Sequence, residues 1–391
     1  MSLLAALATD FGPADERIRQ AIDDYVGAAA RGERRHAVTE LRHAIASPLR
    51  GLLARFNAAP EGMKFLLELR ADVLRFIHKE PDLAILDLEL HALLAGWFDH
   101  GFLELQRISW SAPAALLEKL IGYEAVHEIR SWSDLRNRLD GDRRCYALFH
   151  PCLPGEPLVF VEVALVDELV LSIQALLDET APTGDPRLAR VAMFYSISNT
   201  QPGLRGVRFG GLLIDRVLES LRRELPQVRS FVTLSPAPLL RQWIQSDVSA
   251  VSDQLTSEER LALCTLAAKE DPHGALLALL EIADWRRRQE IEATLKPVLL
   301  RLAAHYLLAI KRSGLPCDPV ARFHLENGAR IDGIHWLADT SDRGLRQSAG
   351  MMVSYLYEPH RVNQNRQAYA STRTIKAAQR VKHLLRPLSH S

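Results

Sequence analysis

The stretch that decides the fold lies near the middle of the chain and reads Phe194-Tyr-Ser-Ile-Ser-Asn-Thr-Gln-Pro-Gly-Leu-Arg-Gly-Val-Arg-Phe-Gly-Gly211. Its β-branched and aromatic beginning predicts a strand over 191–197. The glycine-rich turn leads into residues 211–225, where apolar side chains recur at helical spacing. A strand that feeds a glycine-rich turn into a helix presents unpaired backbone N–H groups at the helix start. This arrangement predicts a local anion site that would suit a pyrophosphate.

Further strands are predicted on both sides of this unit, because short apolar runs alternate there with turn residues. We expect strands over 145–149, 158–165 and 231–234. The result is a β–loop–α–β unit within an otherwise antiparallel sheet, which is an α+β pattern.

The flanking regions are predicted to be helical. Apolar residues recur at helical spacing from Ala14 to Phe98, so residues 1–98 are expected to form an all-helical bundle. Its apolar faces exceed what a small bundle can bury, which predicts self-association. Residues 99–391 are expected to form the mixed-sheet domain, with a helical insertion at about 250–312. The motif Thr256-Ser-Glu-Glu259 matches a capping box at the start of a helix. A basic helix is predicted over 372–385.

The composition excludes several classes of protein. Lys+Arg and Asp+Glu both number 48 in the 391 residues, so the chain has no excess charge for nucleic acid or an anionic membrane. Its four cysteines lack zinc-type spacing and disulfide density. The first residues lack the basic region of a signal peptide, and the longest apolar runs carry acidic residues. We expect a soluble, cytoplasmic protein without a structural metal.

Taken alone, the candidate functional residues have ordinary structural explanations. Glycine-rich turns before helices are often simple turns, and Ser235 before Pro236 is typical of a turn start. His324 could be a buried core histidine, and Tyr357 a buried tyrosine with a bonded hydroxyl. His150 and His335 are interpreted as structural. No single motif therefore assigns a function.

Several motifs in order are more specific than any one of them. Residues 194–201 and 203–206 are followed by Phe231-Val-Thr-Leu-Ser-Pro-Ala-Pro238, Phe323-His-Leu-Glu-Asn-Gly-Ala329 and Trp336-Leu-Ala-Asp339. This succession resembles the malonyl-CoA decarboxylase family, from about Gly101 to the C-terminus. The resemblance implies a helical N-terminal oligomerisation domain and a catalytic domain like the acyl-CoA N-acetyltransferases. It also implies decarboxylation of malonyl-CoA to acetyl-CoA and carbon dioxide without a metal or organic cofactor.

The resemblance further implies roles for individual positions. Ser235 matches the active-site serine, His324 matches the active-site histidine and proton donor, and Tyr357 aligns with a tyrosine of the same pocket, with Tyr355 as the alternative. The residues expected to bind CoA are Asn199, Gln201, Arg205, Gly206, Val207, Arg208, Phe209, Gly210 and Gly211. Arg208 departs from the family, because animal members carry an acidic residue there.

The chemistry agrees with these residue types. Loss of carbon dioxide from a malonyl thioester leaves an enolate, which preorganised hydrogen-bond donors stabilise. A serine hydroxyl can position the thioester or the carboxylate without an ion pair, and a histidine near its ordinary pKa of about 6.5 can protonate the enolate at neutral pH. Two alternatives remain open: an acyl-CoA-dependent N-acyltransferase, and a catalytically silent acyl-CoA-binding scaffold. We also expect a homo-oligomer, a dimer or tetramer.

Overall fold

A computed structural model of the chain describes residues 7, 11, 14–31 and 34–385, with the side chains of 29–31 left out. The chain divides into two compact units. Unit 1 comprises residues 1–106, 147–160 and 199–209, and unit 2 comprises residues 107–146, 161–198 and 210–391. The N-terminal stretch used to exclude a signal peptide lies mostly outside the described residues.

Unit 1 is built around five helices, as the leucine spacing predicted. They are α1 (Asp15–Arg31), α2 (Arg34–Ala44), α3 (Pro48–Phe56), α4 (Gly62–Phe76) and α5 (Leu83–Trp97). Helices α3, α4 and α5 share a core of Leu49, Leu53, Leu66, Val73, Leu83, Leu86, Leu90 and Leu93. Ser47 caps α3, because its hydroxyl accepts the N–H of Leu49 at 3.2 Å. The helical N-terminal region is confirmed.

Within the described residues, seven strands form one sheet with the order β1-β2-β3-β4-β5-β9-β8. The strands are β1 (Glu104–Ile108), β2 (Arg143–Phe149), β3 (Pro157–Val166), β4 (Val191–Asn199), β5 (Ser230–Pro236), β8 (Arg330–His335) and β9 (Met352–Tyr357). A separate two-stranded sheet contains β6 (Lys311–Arg312) and β7 (Leu315–Pro316). The mixed-sheet domain is therefore confirmed.

The parallel pairing of β4 with β5 confirms the predicted β–loop–α–β unit. Val191 pairs with Ser230 and Phe194 with Thr233, and the connecting helix is α9 (Gly210–Glu224). This helix buries Leu213, Ile214, Val217, Leu218 and Leu221. Strand β9 runs antiparallel to β5 and to β8. The helix thus makes the crossover that a parallel pair requires.

The remaining helices flank the strands or form the insertion. They are α6 (Ala114–Tyr123), α7 (Trp132–Arg138), α8 (Ile173–Leu176), α10 (Leu240–Ser246), α11 (Val248–Ser252), α12 (Ser257–Ala267), α13 (Pro272–Glu281), α14 (Gln289–Leu308), α15 (Pro319–Glu326), α16 (Asp342–Ser348), α17 (Val362–Thr372) and α18 (Gln379–Lys382). Short 3-10 turns cover His100–Phe102, Pro202–Leu204, Trp285–Arg287 and His383–Leu385. The helical insertion is confirmed, and Thr256 and Glu259 form the predicted capping box.

The prediction of a continuous basic helix over 372–385 is wrong. Helix α17 ends at Thr372, because Arg373 takes a left-handed backbone conformation with φ of 55°. The chain then becomes extended and pairs with β8: the N–H of Ile331 donates to the carbonyl of Lys376, and the N–H of Ala378 donates to that of Ile331. These sheet contacts satisfy the backbone before the short helix α18 begins.

Among the helices that the structure describes, none combines the length and apolar character needed to cross a membrane. Within the same described residues, His, Cys, Asp and Glu form no group of three or more that could hold a metal ion.

Candidate active site

Ser235 lies near the end of β5, and its hydroxyl joins two side chains in unit 2. It donates to Thr233 Oγ1 at 3.1 Å, and it lies 3.0 Å from His324 Nε2. Thr233 and Ser235 are two residues apart on one strand, so their side chains share a face of the sheet. The hydroxyl of Ser235 is therefore held in a buried hydrogen-bond chain.

His324 is positioned by α15, a short helix with a well-formed start. Asp318 caps it by accepting the N–H groups of Val320 and Ala321 at 3.0 and 2.9 Å, and Pro319 occupies the first turn. This start sets the rotation of the helix, and His324 in its last turn is only 3% exposed.

The two tyrosines of β9 contact the imidazole of His324 in different ways. The hydroxyl of Tyr357 lies 2.9 Å from Nδ1. The ring of Tyr355 stacks on the imidazole, with centroids 4.3 Å apart and an interplanar angle of 26°. Among the described residues, the buried hydroxyl of Tyr355 has no hydrogen-bond partner. The geometry thus distinguishes the two aligned candidates, because the hydroxyl of Tyr357 meets the imidazole and that of Tyr355 does not.

Burial controls the protonation of this group of residues. Desolvation lowers the pKa of His324 from 6.5 to about 3, so the imidazole is neutral at neutral pH. The expectation that His324 titrates near its ordinary pKa is therefore wrong. Desolvation also raises the pKa of Tyr357 well above its usual range, so the phenol keeps its proton.

The start of α9 packs tightly against α15. A Cβ atom on Gly210 would lie 2.2 Å from the ring of Phe323, and one on Gly211 would lie 3.1 Å from Asn327 Oδ1. Any side chain at Gly210 would therefore displace the residue that precedes His324. The sequence analysis explained these glycines by the access that they give an anion to the backbone. The structure adds that close packing leaves no room for a side chain at Gly210.

Arg366 is a basic side chain beside the start of α9 that sequence reasoning missed. Its Nη2 lies 3.9 Å from the Cβ position of Gly211, and it donates to Asp215 Oδ1 at 3.0 Å. Nothing in the local sequence of α17 indicates this placement, because the contact is long-range.

The other residues expected to bind CoA belong to unit 1, in the loop 199–209. All of them except Arg208 line a cavity of about 480 Å³, namely Asn199, Gln201, Arg205, Gly206, Val207 and Phe209. The side chains of Arg205 and Arg208 are exposed, whereas Phe209 is 3% exposed. Phe209 anchors the end of the loop through an edge contact with Phe98, with ring centroids 6.5 Å apart.

Two further histidines have structural contacts, as their interpretation requires. His335 Nε2 lies 2.9 Å from Ser354 Oγ. His150 Nε2 lies 3.1 Å from the carbonyl of Trp97, and its Nδ1 accepts the N–H of Cys152 at 3.1 Å. The Ser354–His335 pair offers a second serine–histidine contact for comparison with Ser235–His324.

Thr233 could have been found from the sequence. It precedes Ser235 by two positions in a predicted strand, and that period alone places both hydroxyls on one face.

Sequence comparison matches almost the whole chain to one family. Residues 11–98 match the model of the malonyl-CoA decarboxylase N-terminal domain, and residues 101–391 match that of the C-terminal domain. The mitochondrial malonyl-CoA decarboxylase of Anser anser anser is 35% identical over 97% of this chain and 78% of its own length. That of Mus musculus is 35% identical over 89% of this chain and 73% of its own length.

Structure comparison gives the same result. The malonyl-CoA decarboxylase of Agrobacterium vitis is similar with a TM-score of 0.88 and 39% identity, over 99% of this chain and 90% of that one. The malonyl-CoA decarboxylase of Rhodopseudomonas palustris has a TM-score of 0.86 and 41% identity, over 98% of this chain and 89% of that one.

The neutral state of His324 predicts a pH dependence of stability. The folded pKa of about 3 lies below the unfolded value of 6.5, so folding is favoured above pH 6.5 and this contribution is lost as the pH falls towards 3. Between pH 7 and pH 5, the burial of His324 should lower the free energy of unfolding by about 2 kcal/mol. Chemical denaturation at pH 7 and at pH 5 should show that the free energy of unfolding falls less in His324→Gln than in the wild type, by that amount. An equal loss in both proteins would contradict the neutral imidazole.

Proposed function

Because the chain belongs to the malonyl-CoA decarboxylase family, we propose that it converts malonyl-CoA to acetyl-CoA and carbon dioxide. The observation that carries the proposal is the buried contact of 3.0 Å between Ser235 Oγ and His324 Nε2. In this proposal the enzyme is a carboxy-lyase, and its substrate is malonyl-CoA.

The reaction needs hydrogen-bond donors and one proton. The bond between the α-carbon and the carboxylate breaks, its electron pair passes into the thioester as an enolate, and carbon dioxide leaves. The α-carbon then takes up a proton, which gives the acetyl group. Donors aimed at the thioester oxygen lower the barrier, because negative charge develops there in the transition state.

The hydrogen-bond chain supports one assignment of the protons. Tyr357 keeps its hydroxyl proton, and the described acceptor for it is His324 Nδ1. The neutral imidazole then carries its proton on Nε2, which faces Ser235 Oγ. The resulting order is Tyr357 O–H to Nδ1, Nε2–H to Ser235, and Ser235 O–H to Thr233. Such a chain directs a proton towards Ser235.

In the proposed mechanism, Ser235 positions the malonyl thioester and His324 supplies the proton. The hydroxyl of Ser235 turns from Thr233 to the substrate, and the Nε2 proton of His324 reaches the enolate carbon through that hydroxyl. Tyr357 restores a proton at Nδ1 and is reprotonated from solvent, which accounts for the proton consumed. Neutral donors suffice for this step because a thioester enolate is a stronger base than a phenolate.

The residues proposed to bind CoA are those at the start of α9, in unit 2, and those of the loop 199–209, in unit 1. The first N–H groups of a helix lack intrahelical partners and attract anions. Gly210 and Gly211 form this helix start, packed against Phe323 and Asn327. Arg366, which is paired with Asp215, lies beside the same helix end in unit 2. In unit 1, the exposed side chains of Arg205 and Arg208 provide local positive charge for the phosphates of CoA.

The alternatives explain the contacts of His324 less well. An N-acyltransferase needs a base for the attacking amine, whereas both ring nitrogens of His324 already meet hydroxyl groups. A silent scaffold would not need the buried chain from Tyr357 to Thr233. We therefore favour the decarboxylase.

A cytoplasmic location stays a prediction.

The central experiment mixes the purified protein with malonyl-CoA and follows acetyl-CoA by mass spectrometry. Ser235→Ala and His324→Ala should each lower kcat on the order of 100-fold or more, because each removes a donor from the hydrogen-bond chain between Tyr357 and Thr233. Ser354→Ala is the matched control: it removes a serine hydroxyl from the His335 pair and should keep kcat within about threefold. Wild-type protein without turnover, or full activity in both site variants, would refute the function.

The two tyrosines provide a sharper test of the proton order. Tyr357→Phe should lower kcat about 10- to 100-fold, because His324 Nδ1 loses its donor. Tyr355→Phe keeps the stacked ring and removes a hydroxyl that bonds to no residue in the described part of the chain, so kcat should stay near that of the wild type. Steady-state kinetics on both variants would check this. The reverse ranking would assign the role to Tyr355.

We also propose that the helical segment 1–98 mediates self-association into a dimer or tetramer. Several large apolar side chains of α1 and α5 are exposed, among them Val26 at 61%, Ile85 at 46% and Leu88 at 65%. Light scattering at micromolar concentration should show an oligomer, and Leu88→Glu should shift it towards the monomer if α5 lies in the interface. A monomeric wild-type protein would disprove the proposal.

A further inference from the structure

The loop 199–209 is held by a buried arginine from the helical part of unit 1. Arg70 of α4 is 2% exposed. Its Nη1 donates to the carbonyl of Gly203 at 2.7 Å and to the carbonyl of Arg205 at 2.8 Å. Its Nε donates to Asp87 Oδ1 of α5 at 2.8 Å. One guanidinium thus joins two helices and two carbonyls of the loop.

The backbone of the loop is fitted closely to the same two helices. A Cβ atom on Gly203 would lie 2.1 Å from the carbonyl oxygen of Leu67. Gly206 has a φ of 90°, and a Cβ atom there would lie 3.3 Å from His91 Nε2. The positions of these two glycines relative to α4 and α5 therefore have little freedom.

Helix α4 also forms part of the cavity that the loop lines. Ala71, Leu74 and Arg75 share the lining of this space of about 480 Å³ with the loop residues expected to bind CoA. Arg70 directly precedes this wall in the helix. The contacts of Arg70 thus set the position of the loop against a wall of the same cavity.

We propose that Arg70 and Asp87 are positioning residues for substrate binding, and that the helical N-terminal segment shapes the CoA loop as well as serving as an oligomer contact. This inference rests on the proposed function. The guanidinium fork reaches two carbonyls and a carboxylate at fixed angles, which the single ammonium group of lysine cannot reproduce. Asp87 holds the guanidinium by accepting a hydrogen bond from Nε of Arg70. Neither residue is assigned a place in the proton chain.

The test compares Arg70→Lys with the wild type in malonyl-CoA kinetics. The variant keeps the positive charge beside Asp87 and loses the fork, so KM should rise on the order of tenfold while kcat stays within about twofold. The pH profile of kcat should be unchanged, because the proton chain is intact. Asp87→Asn keeps both carbonyl contacts and should give a smaller rise in KM, on the order of threefold. Arg50→Lys, at an exposed arginine of α3, is the control and should match the wild type.

Hydrogen–deuterium exchange provides a readout that does not depend on turnover. Within the loop, the N–H groups of Leu204, Arg205 and Val207 donate to carbonyls of the loop itself. Their exchange should become faster on the order of tenfold in Arg70→Lys, with α14 and β5 unchanged. Faster exchange at all sites would mean general destabilisation and would count against the inference.

The outcomes separate the inference from the proposed function. Active wild-type protein with an unchanged KM in Arg70→Lys overturns the inference and leaves the function intact. A loss of kcat without a rise in KM also overturns it. Wild-type protein without turnover refutes the function, and the role of Arg70 is then decided by loop exchange and by calorimetric binding of acetyl-CoA. Should Arg70→Lys fail to fold, the same measurements on Asp87→Asn decide.

Discussion

The antiparallel register of β5 and β9 is the constraint on which the candidate active site depends. Thr233 pairs with Tyr355, and Phe231 pairs with Tyr357, so the hydroxyls of β5 and the tyrosine rings of β9 share one face of the sheet. His324 meets that face at three points: Ser235, the ring of Tyr355 and the hydroxyl of Tyr357. A slip of β9 by one residue would turn Tyr355 and Tyr357 to the other face, away from Ser235. The chemistry of the site is thus tied to the core of the fold.

Burial of the imidazole changes the kind of chemistry that the site can perform. Removal from water disfavours the charged form, and hydrogen bonds on both ring nitrogens compensate for the lost hydration of the neutral form. The described partners of Ser235 are Thr233 and His324, both uncharged. A malonyl carboxylate beside Ser235 would meet hydrogen-bond donors without a tight ion pair. An ion pair would stabilise the substrate more than the enolate, so uncharged donors suit the proposed reaction.

Sequence patterns predicted those parts of the fold that depend on local periodicity. The strand expected over 231–234 is β5 (Ser230–Pro236), and the helix expected over 211–225 is α9 (Gly210–Glu224). The prediction of a continuous C-terminal helix was wrong because sheet pairing with Ile331, a long-range contact, overrides the helical propensity of the segment. Long-range contacts also explain why Arg366 and Arg70 were missed. The pKa of His324 could not be predicted either, because it depends on burial by residues distant in sequence. Motif order did bring Ser235, His324 and Tyr357 together as candidates, and their contacts in the structure support the proposed roles.

The glycines of the stretch 194–211 show why a motif by itself could not decide between a turn and a binding loop. Gly203 is required because the carbonyl of Leu67 is too close for a side chain, and Gly210 because the ring of Phe323 is. Both requirements are steric, so a purely structural turn would show the same residues. The buried arginine is different. A turn whose only task is to reverse the chain has no need of a desolvated guanidinium on two of its carbonyls, because burial of that charge costs free energy that Asp87 only partly offsets. That free-energy cost has a reason if the shape of the loop matters, as it does for a loop that must fit a phosphate-bearing substrate.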